Sequence, residues 1–323
     1  MKKILFSICC FISLITLVSC NVSKNYQIKS AESPMSISYN ESFNLEIEQF
    51  IDKLDLFSAK LTVNLYKNSD KNTNLCISPI SVYMALAMAI ECASGETKEE
   101  MLNAVGVTYE EVEKFTQYLY SMCNKEYKTQ TITGNKVMGY QKLANSIWID
   151  KDIVLNDEVL DVLANKYNTD SFYVPFYEQN KKANKALSDY IKEKTNGLID
   201  SDFQLPVETI FTLVNTLCIK DVWNDDGDDL SFTEDKYDFK EYDGNIISTK
   251  LLSGYYNLGR TIEEERYKHF FTNTDHNMTI KFIVPKEGYS VKSFENKKKA
   301  YKITEKCINC GNIDIVWFAQ EDT

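Results

Sequence analysis

Two histidines are the only side chains in this 323-residue chain that could act as bases near neutral pH. His269 and His276 both fall in a polar segment, Lys268 to Asn277, with no carboxylate or nucleophile at a recognisable catalytic spacing. They read as surface residues. A hydrolase would need a nucleophile elbow, an H-E-x-x-H pair or a glycine-rich phosphate loop, and the sequence contains none of them. The chain is therefore not expected to be an enzyme.

Two further clusters could hold a metal. Asp225, Asp226, Asp228 and Asp229 surround Gly227, but aligning that glycine with the invariant glycine of an EF-hand loop puts Val222 first and Thr233 last, where Asp and Glu are required. A solvated acidic turn fits better. Cys307-x-x-Cys310 is a single pair, and a structural zinc site needs four ligands. A redox pair, a local disulfide and an incidental pair all stay open. Cys76, Cys92, Cys123 and Cys218 lie in apolar surroundings and read as buried thiols. No metal or cofactor is expected.

One polar residue stands out in the opposite way. Asn215 interrupts Thr209 to Ile219, an almost continuous β-branched and apolar run of the kind that forms a strand covered on both faces. A buried carboxamide has four hydrogen-bonding sites to satisfy, so Asn215 reads as a structural node.

The elements that position these residues follow from pattern. Phe50, Leu54, Phe57, Leu61 and Leu65 keep helical spacing, and Leu75 to Ile77 is a brief apolar strand. Ser78 is a suitable N-cap and Pro79 loses nothing in a first turn, so a helix is predicted to start there. From Ser81 to Ile90 every residue is apolar or small, which places this helix in a core, with Gly95 as its stop. Thr97 with Glu100, and Thr108 with Glu111, are predicted capping boxes for two more helices, the second running to about Cys123. Lys125 to Gly139 reads as polar loop, and Leu143 to Ile149 as a strand ending at Asp150.

Beyond it, Val159 to Tyr167 is helical, and Phe172, Val174 and Phe176 form a strand that Pro175 assigns to an edge. Lys181 to Asn196 is an amphipathic helix stopped by Gly197. The rest alternates as short strands around Phe232, Phe239, Leu251 and Met278 to Val284, then a charged helix, Ser293 to Cys307, and a strand, Ile313 to Phe318.

The N-terminus has its own logic. Lys2 and Lys3 precede an apolar run, Ile4 to Val18, too short to span a bilayer and flanked like a secretion signal. Leu17-Val18-Ser19-Cys20 looks like a bacterial lipobox, in which Cys20 is lipidated and becomes the mature N-terminus. An ordinary cleaved signal is the alternative, for which Leu17 fits poorly. Residues 21–44 are Ser-, Asn- and Lys-rich without periodicity and read as a flexible tether. A net charge of -11 argues against a nucleic-acid partner, and a 44% hydrophobic composition is ample for a large core.

Several motifs, in order, closely resemble the serpin family of protease inhibitors: Ser78-Pro79-x-Ser81, Ala93-x-Gly95-x-Thr97, Met101-Leu102, Leu143-Ala144-Asn145, Lys194 to Ile199, Lys220-x-x-Trp223, and Phe282-Ile283-Val284-Pro285-Lys286-x-Gly288. The chain departs from the family at Ser188, usually Asn, and at Asp221, usually Gly. The resemblance implies an α+β fold with a large central mixed/antiparallel sheet, smaller sheets and surrounding helices. It spans about residue 45 to 323, after a signal (1–20) and the tether (21–44). It further implies that Ser78, Pro79, Ser81 and Asn215 govern the opening of the central sheet, and that Lys220 and Trp223 lie at the top of a strand.

Serpins offer a bait loop to serine or cysteine proteases, and the cleaved loop inserts into the sheet as a new strand. That loop and the last core strands lie beyond the motifs matched here, so the resemblance implies a C-terminally truncated scaffold, impaired or inactive as an inhibitor. The alternative is a non-inhibitory binding protein on the same scaffold. Expected partners are serine or cysteine proteases and, through Cys20, the membrane of a bacterial cell surface. The protein is expected to be a monomer.

Overall fold

The computed structural model describes residues 22–32, 41–70, 75–132, 134–222, 231–240, 245–253, 261–276, 278–286 and 314–318. In chain order the elements begin with a 3-10 turn (Val22–Asn25), β1 (Gln27–Lys29), α1 (Glu41–Asn68), α2 (Pro79–Cys92), α3 (Gly95–Val105) and α4 (Tyr109–Met122). Next come β2 (Lys125–Thr131), β3 (Gly134–Asp150), α5 (Asp157–Lys166), β4 (Thr169–Val174), α6 (Asn180–Lys194) and β5 (Phe211–Lys220). The described elements of the last part are strands: β6 (Ser231–Phe232), β7 (Tyr237–Lys240), β8 (Ile246–Thr249), β9 (Leu252–Ser253), β10 (Thr261–Glu263), β11 (Tyr267–Asn273), β12 (Thr279–Pro285) and β13 (Asp314–Phe318). The fold is α+β and shows, among the described residues, a five-stranded mixed sheet and three smaller sheets. Two compact units divide it: Met1–Pro34 with Leu143–Cys218, and Met35–Lys142 with Ile219–Thr323.

In the first unit β4 runs parallel to the second half of β3, Asn145 opposite Thr169 through Asp150 opposite Val174. Parallel pairing needs a crossover, and α5 supplies it. Asn156 caps that helix by accepting from Glu158 N–H at 3.0 Å. Pro175 was expected to mark an edge strand, yet β4 has neighbours on both sides, because β1 pairs antiparallel with its other edge. The proline stands just past the last paired residue, where its missing N–H costs no ladder bond. Trp148 and Phe172 stack at 4.0 Å, and the Tyr190 ring meets both edge-on at 5.5 and 5.2 Å. Ala183, Ala186 and Leu187 of α6 seal this core. Each large buried side chain contributes about 1.5–3 kcal/mol.

Within the stretch expected to be a tether, residues 22–32 are bonded to the first unit. Asp170, 6% exposed, collects Ala31 N–H at 2.8 Å, Gln27 Nε2 at 3.1 Å, Tyr190 Oη at 3.0 Å and the Lys194 ammonium at 3.0 Å. Tyr173 N–H donates to Tyr26 O at 3.0 Å, Asn168 Nδ2 donates to Glu32 O at 2.6 Å, and Lys29 pairs with Asp161. A polar, aperiodic sequence binds here through its backbone, which leaves no hydrophobic pattern to read. α1 also starts at Glu41, inside the expected tether.

In the second unit α2 is held by α1 and α4. Ser78 caps it and Pro79 occupies its first position, as predicted. Tyr83, Met84, Ala87, Met88 and Ile90 are buried, and the Tyr83 hydroxyl reaches Thr116 Oγ1 at 3.2 Å. Burial raises the Tyr83 phenol well above its usual range. The Thr108–Glu111 capping box is present in full. The other box is not: α3 starts at Gly95 with Ser94 as cap, so Thr97 sits inside the first turn, and α2 has already ended at Cys92. Leu75 to Ile77 forms no strand.

The expected loop from Lys125 is a hairpin. β2 pairs with the first half of β3, Lys125 opposite Gln141 to Thr131 opposite Gly134. Tyr127, Thr129 and Thr131 supply the alternate β-favouring positions, but both faces are polar enough to hide the period. β11 and β12 form an antiparallel pair, and β13 adds parallel to β12, at the predicted strand near residue 313.

Candidate functional site

β5 carries Asn215, one of the four residues expected to govern sheet opening. It pairs with β3, and no second partner strand exists for it among the described residues. The expectation that both its faces are covered is not met: only Thr216 and Cys218 are buried, and Phe211 is half exposed. Its apolar run reflects β propensity and one covered face rather than complete burial.

Asn215 lies half-buried in the middle of β5, as the node its sequence setting suggested. Its Nδ2 donates to Asn145 Oδ1 at 2.6 Å, and Asn145 Nδ2 donates in turn to Tyr167 O at 2.7 Å. Asn145 O accepts from Tyr190 Oη at 3.2 Å. A chain of polar groups thus ties β5 to β3, to the end of α5 and to α6. Asn215 Oδ1 is buried and meets no hydrogen-bond donor among the described residues. An acceptor in that position destabilises the sheet as it stands and is the kind of group that calls for an explanation.

Three residues further along β5, the Cys218 thiol donates to Thr195 O at 3.4 Å. Thr195 follows α6, and Asn196 and Gly197 after it both have left-handed φ, 51° and 79°. Gly197 N–H returns to Lys192 O at 2.8 Å, closing the helix at the predicted glycine. The segment beyond is strapped back onto α6. Ser188 Oγ accepts from Phe203 N–H at 3.0 Å, while Asn184 takes Leu205 N–H and donates to Leu205 O, both at 3.1 Å. Ser188, the departure from the family pattern, still makes a backbone contact. Asn184 escaped the sequence reading, although its i,i+4 spacing from Asn180, which it bonds at 2.8 Å, was available as a signal.

Ser78 and Ser81 belong to the second unit and are described within it. Ser81 N–H reaches Ser78 Oγ at 3.3 Å, and the two hydroxyls lie 2.9 Å apart. With Pro79 between them they form a cap that is complete in itself.

At the far end of β5 the departure at Asp221 has a local reason. Its Oδ1 lies 2.5 Å from His276 Nδ1 and its Oδ2 accepts from Thr274 Oγ1 at 2.6 Å. Val222 N–H adds a third bond at 2.8 Å, and the imidazole stacks on Tyr127 at 4.1 Å. His276 is therefore partnered and only 20% exposed, and His269 is buried, so neither is the surface residue expected. Lys220, next to Asp221, is exposed. Cys20, Trp223, the acidic turn at 225–229, the helix expected over 293–307 and Cys307 and Cys310 lie outside the described residues. Among the described residues no group of acidic, histidine and cysteine side chains could hold a metal. Cys123 and Cys218 are buried as expected, Cys92 is half-buried and Cys76 is exposed.

Comparisons with known proteins converge. The family profile described as Serpin (serine protease inhibitor) matches residues 53–309. Alpha-1-antiproteinase of Rattus norvegicus is 26% identical over 175 residues, 51% of this chain and 40% of that protein. An uncharacterized serpin-like protein of Methanosarcina acetivorans is 23% identical over 282 residues, 83% and 62% respectively. The chain thus spans roughly half the length of the curated relatives it matches. Among solved structures, the thermophilic serpin tengpin in its native state superposes with a TM-score of 0.68 at 24% identity, over 86% of this chain and 66% of the other. Thyroxine-binding globulin complexed with thyroxine-fluorescein gives 0.66 at 20% identity, over 80% and 74%.

Proposed function

Because this chain belongs to the serpin family, we propose that it supplies the sheet-bearing scaffold of an exported endopeptidase inhibitor, anchored to a bacterial cell surface through a lipid on Cys20 and acting as a monomer on serine or cysteine proteases. The observation that carries the reading is β5, which among the described residues pairs with β3 alone and carries at its centre a buried amide oxygen that meets no donor there. An edge strand with unmet hydrogen bonds is a template for another strand. Insertion of a cleaved bait strand would pair the backbone edge of β5 that has no partner strand among the described residues, which is a downhill step of the sort such an inhibitor needs. Asn215 would then act as the residue that keeps the closed sheet from being too stable. Ser78, Pro79 and Ser81 would set the start of α2, and Lys220 and Trp223 the end of β5.

The test is strand addition. Full-length protein is incubated with a synthetic peptide of about a dozen residues rich in Thr, Ala and Glu, the length of two extended strands' worth of ladder. A higher unfolding midpoint and a faster-migrating native band are expected, and a scrambled Pro-containing peptide should give neither. An unchanged midpoint with the matched peptide would overturn the insertion reading and favour a binding protein that has kept the scaffold.

A further inference from the structure

β1 and β5 are outer strands of one sheet among the described residues, and they are built in opposite ways. β5 is ten residues long, with its single charge at the last position, and pairs with β3 alone. β1 is three residues long, shifts register against β4 between Gln27 and Lys29, and carries that lysine in an ion pair with Asp161. Short length, a bulge and a lysine are the devices by which sheets blunt an edge. The strand that β1 covers would itself template another. Five of the six residues of β4 are buried, and Phe172, Tyr173 and Val174 all favour β structure.

The seat under β1 is made of fitted parts. Tyr173 N–H donates to Tyr26 O at 3.0 Å, and Glu32 N–H donates to Ala164 O at 3.1 Å. Asp170 Oδ1 accepts from Ala31 N–H at 2.8 Å and from Gln27 Nε2 at 3.1 Å. Asn168, whose φ of 49° is left-handed, brings its Nδ2 to Glu32 O at 2.6 Å. The Tyr26 ring packs against the core around Trp148. The occupant nevertheless sits shallowly: of residues 23–32 only Ser23 is buried, and Ile28 is 44% exposed. A segment held by backbone bonds over little buried apolar area opens at a small fraction of the global free energy.

We propose that the outer edge of β4 is a strand-binding seat for an extended peptide that offers a ring to the Trp148 core and a cation to Asp161, and that residues 23–32 fill it in cis. Filling it leaves β5, of these two edges, as the one that can take a partner. That consequence rests on the reading of β5 as the acceptor of an added strand. A linked strand competes at an effective concentration on the order of mM, so free peptide enters the seat only when the resident strand is weakened.

Full-length protein and its Tyr26→Ser/Ala31→Pro variant, which lacks the ring and the N–H given to Asp170, are each incubated with a synthetic Val22–Glu32 peptide at about 50 µM, far below the effective concentration of the linked strand. Native mass spectrometry counts bound peptides, and hydrogen exchange reads the Tyr173 amide. One peptide on the variant and none on the parent are expected. The variant's Tyr173 amide should exchange freely alone and regain protection with peptide, and a peptide carrying Ala31→Pro should not bind. The single variant Ala31→Pro, which keeps the ring, should take up peptide more weakly in the same assay. No uptake by either variant, a Tyr173 amide as protected in both variants as in the parent, or equal binding to parent and variants would each overturn the seat. The Thr-, Ala- and Glu-rich peptide separates the two readings: its failure to add to the parent, with the Val22–Glu32 peptide still filling the variant, would overturn insertion at β5 and leave the seat standing.

Discussion

Asp221 Oδ1 and His276 Nδ1 lie 2.5 Å apart, which joins the end of β5 to the turn between β11 and β12. The Asp221 side chain is only 3% exposed, yet each of its oxygens has a donor, because Thr274 Oγ1 and Val222 N–H complete the set. With the carboxylate ionised, the proton of the pair belongs on Nδ1, since an anion can only accept. A residue that departs from the family's glycine has thus brought its own partners with it.

Removing the imidazole should therefore be costly. His276→Ala leaves Asp221 buried with two of its three donors, and a loss of about 1–3 kcal/mol is expected. Asp221→Gly removes the charge as well and should cost less. The urea midpoints of both single variants and the double variant, measured as a cycle, give the coupling; additivity would mean that the contact contributes nothing.

Gly139 is required by the same cluster. A Cβ there would lie 2.9 Å from His276 Nδ1, 3.0 Å from Asp221 Oδ1 and 3.0 Å from the Lys220 carbonyl, and the last, being backbone, cannot swing away. Gly139→Ala should destabilise by about 1–3 kcal/mol, as overpacking does. In the His276→Ala background the penalty should shrink without vanishing, because the carbonyl remains. Thermal melts of the two alanine variants and their combination decide this.

Much of this arrangement was legible from local rules. Ser78 before Pro79, and Thr108 before Glu111, are signals within one turn of chain, and both caps are where the rules put them. Gly197 after the Lys181 helix is another. What escaped depends on partners distant in sequence. β1 is held by Asp170, about 140 residues away, through backbone bonds that any polar sequence could make. The β2–β3 hairpin has no buried face to impose a period. His276 gains its partner from a residue 55 positions earlier, and no spacing rule links them. Thr97 failed for a different reason: two helix starts competed, and Ser94-Gly95 won.

Asn215 predicts a specific cost. Asn215→Ala deprives Asn145 Oδ1 of its donor, but it also removes the buried acceptor Oδ1 of Asn215. The two effects oppose, so a small change, within about 1 kcal/mol, is expected. Asn145→Ala strips the donors and acceptors from both Asn215 and Tyr167 O and should cost about 1–3 kcal/mol more. Denaturant midpoints in which Asn215→Ala proves the worse variant would contradict this ordering.

Glu111 gives a pH dependence. Burial works to raise its carboxyl, but hydrogen bonds from the Lys53 ammonium and Thr108 N–H outweigh it and hold the group below the usual carboxylate range. A depressed folded-state value means the contribution is complete above the unfolded pKa, about 4.3, and is lost as pH falls through the folded one. Glu111→Gln should cost about 0.5–1 kcal/mol at pH 7, in line with other helix caps and reduced by partial exposure. Urea midpoints of the two proteins should converge as the pH is lowered below 4.3, approximately, and a gap that stays constant would rule the linkage out.

Two thiols extend the argument to alkaline pH with the opposite sign. Burial, reinforced by the Glu91 charge, raises Cys92 to about 11, and burial raises Cys123 to about 12 despite Lys125. A free thiol ionises near 8.5, so at pH 8 the folded protein should hold Cys92 as thiolate roughly a hundredfold less than the unfolded chain does. Both sites should then resist a disulfide reagent in buffer and react promptly in urea, as read by mass mapping of each cysteine. Because their folded values are raised, the stability they contribute is fully present below about 8.5 and is lost as pH climbs through the folded values. Urea midpoints should therefore fall between pH 8.5 and 11, roughly, and Cys123→Ser, which places a hydroxyl in the same site, should flatten that fall. Rapid modification of Cys123 in the folded protein at pH 8 would show that α4 opens locally far more often than its buried packing against α1 and α2 permits.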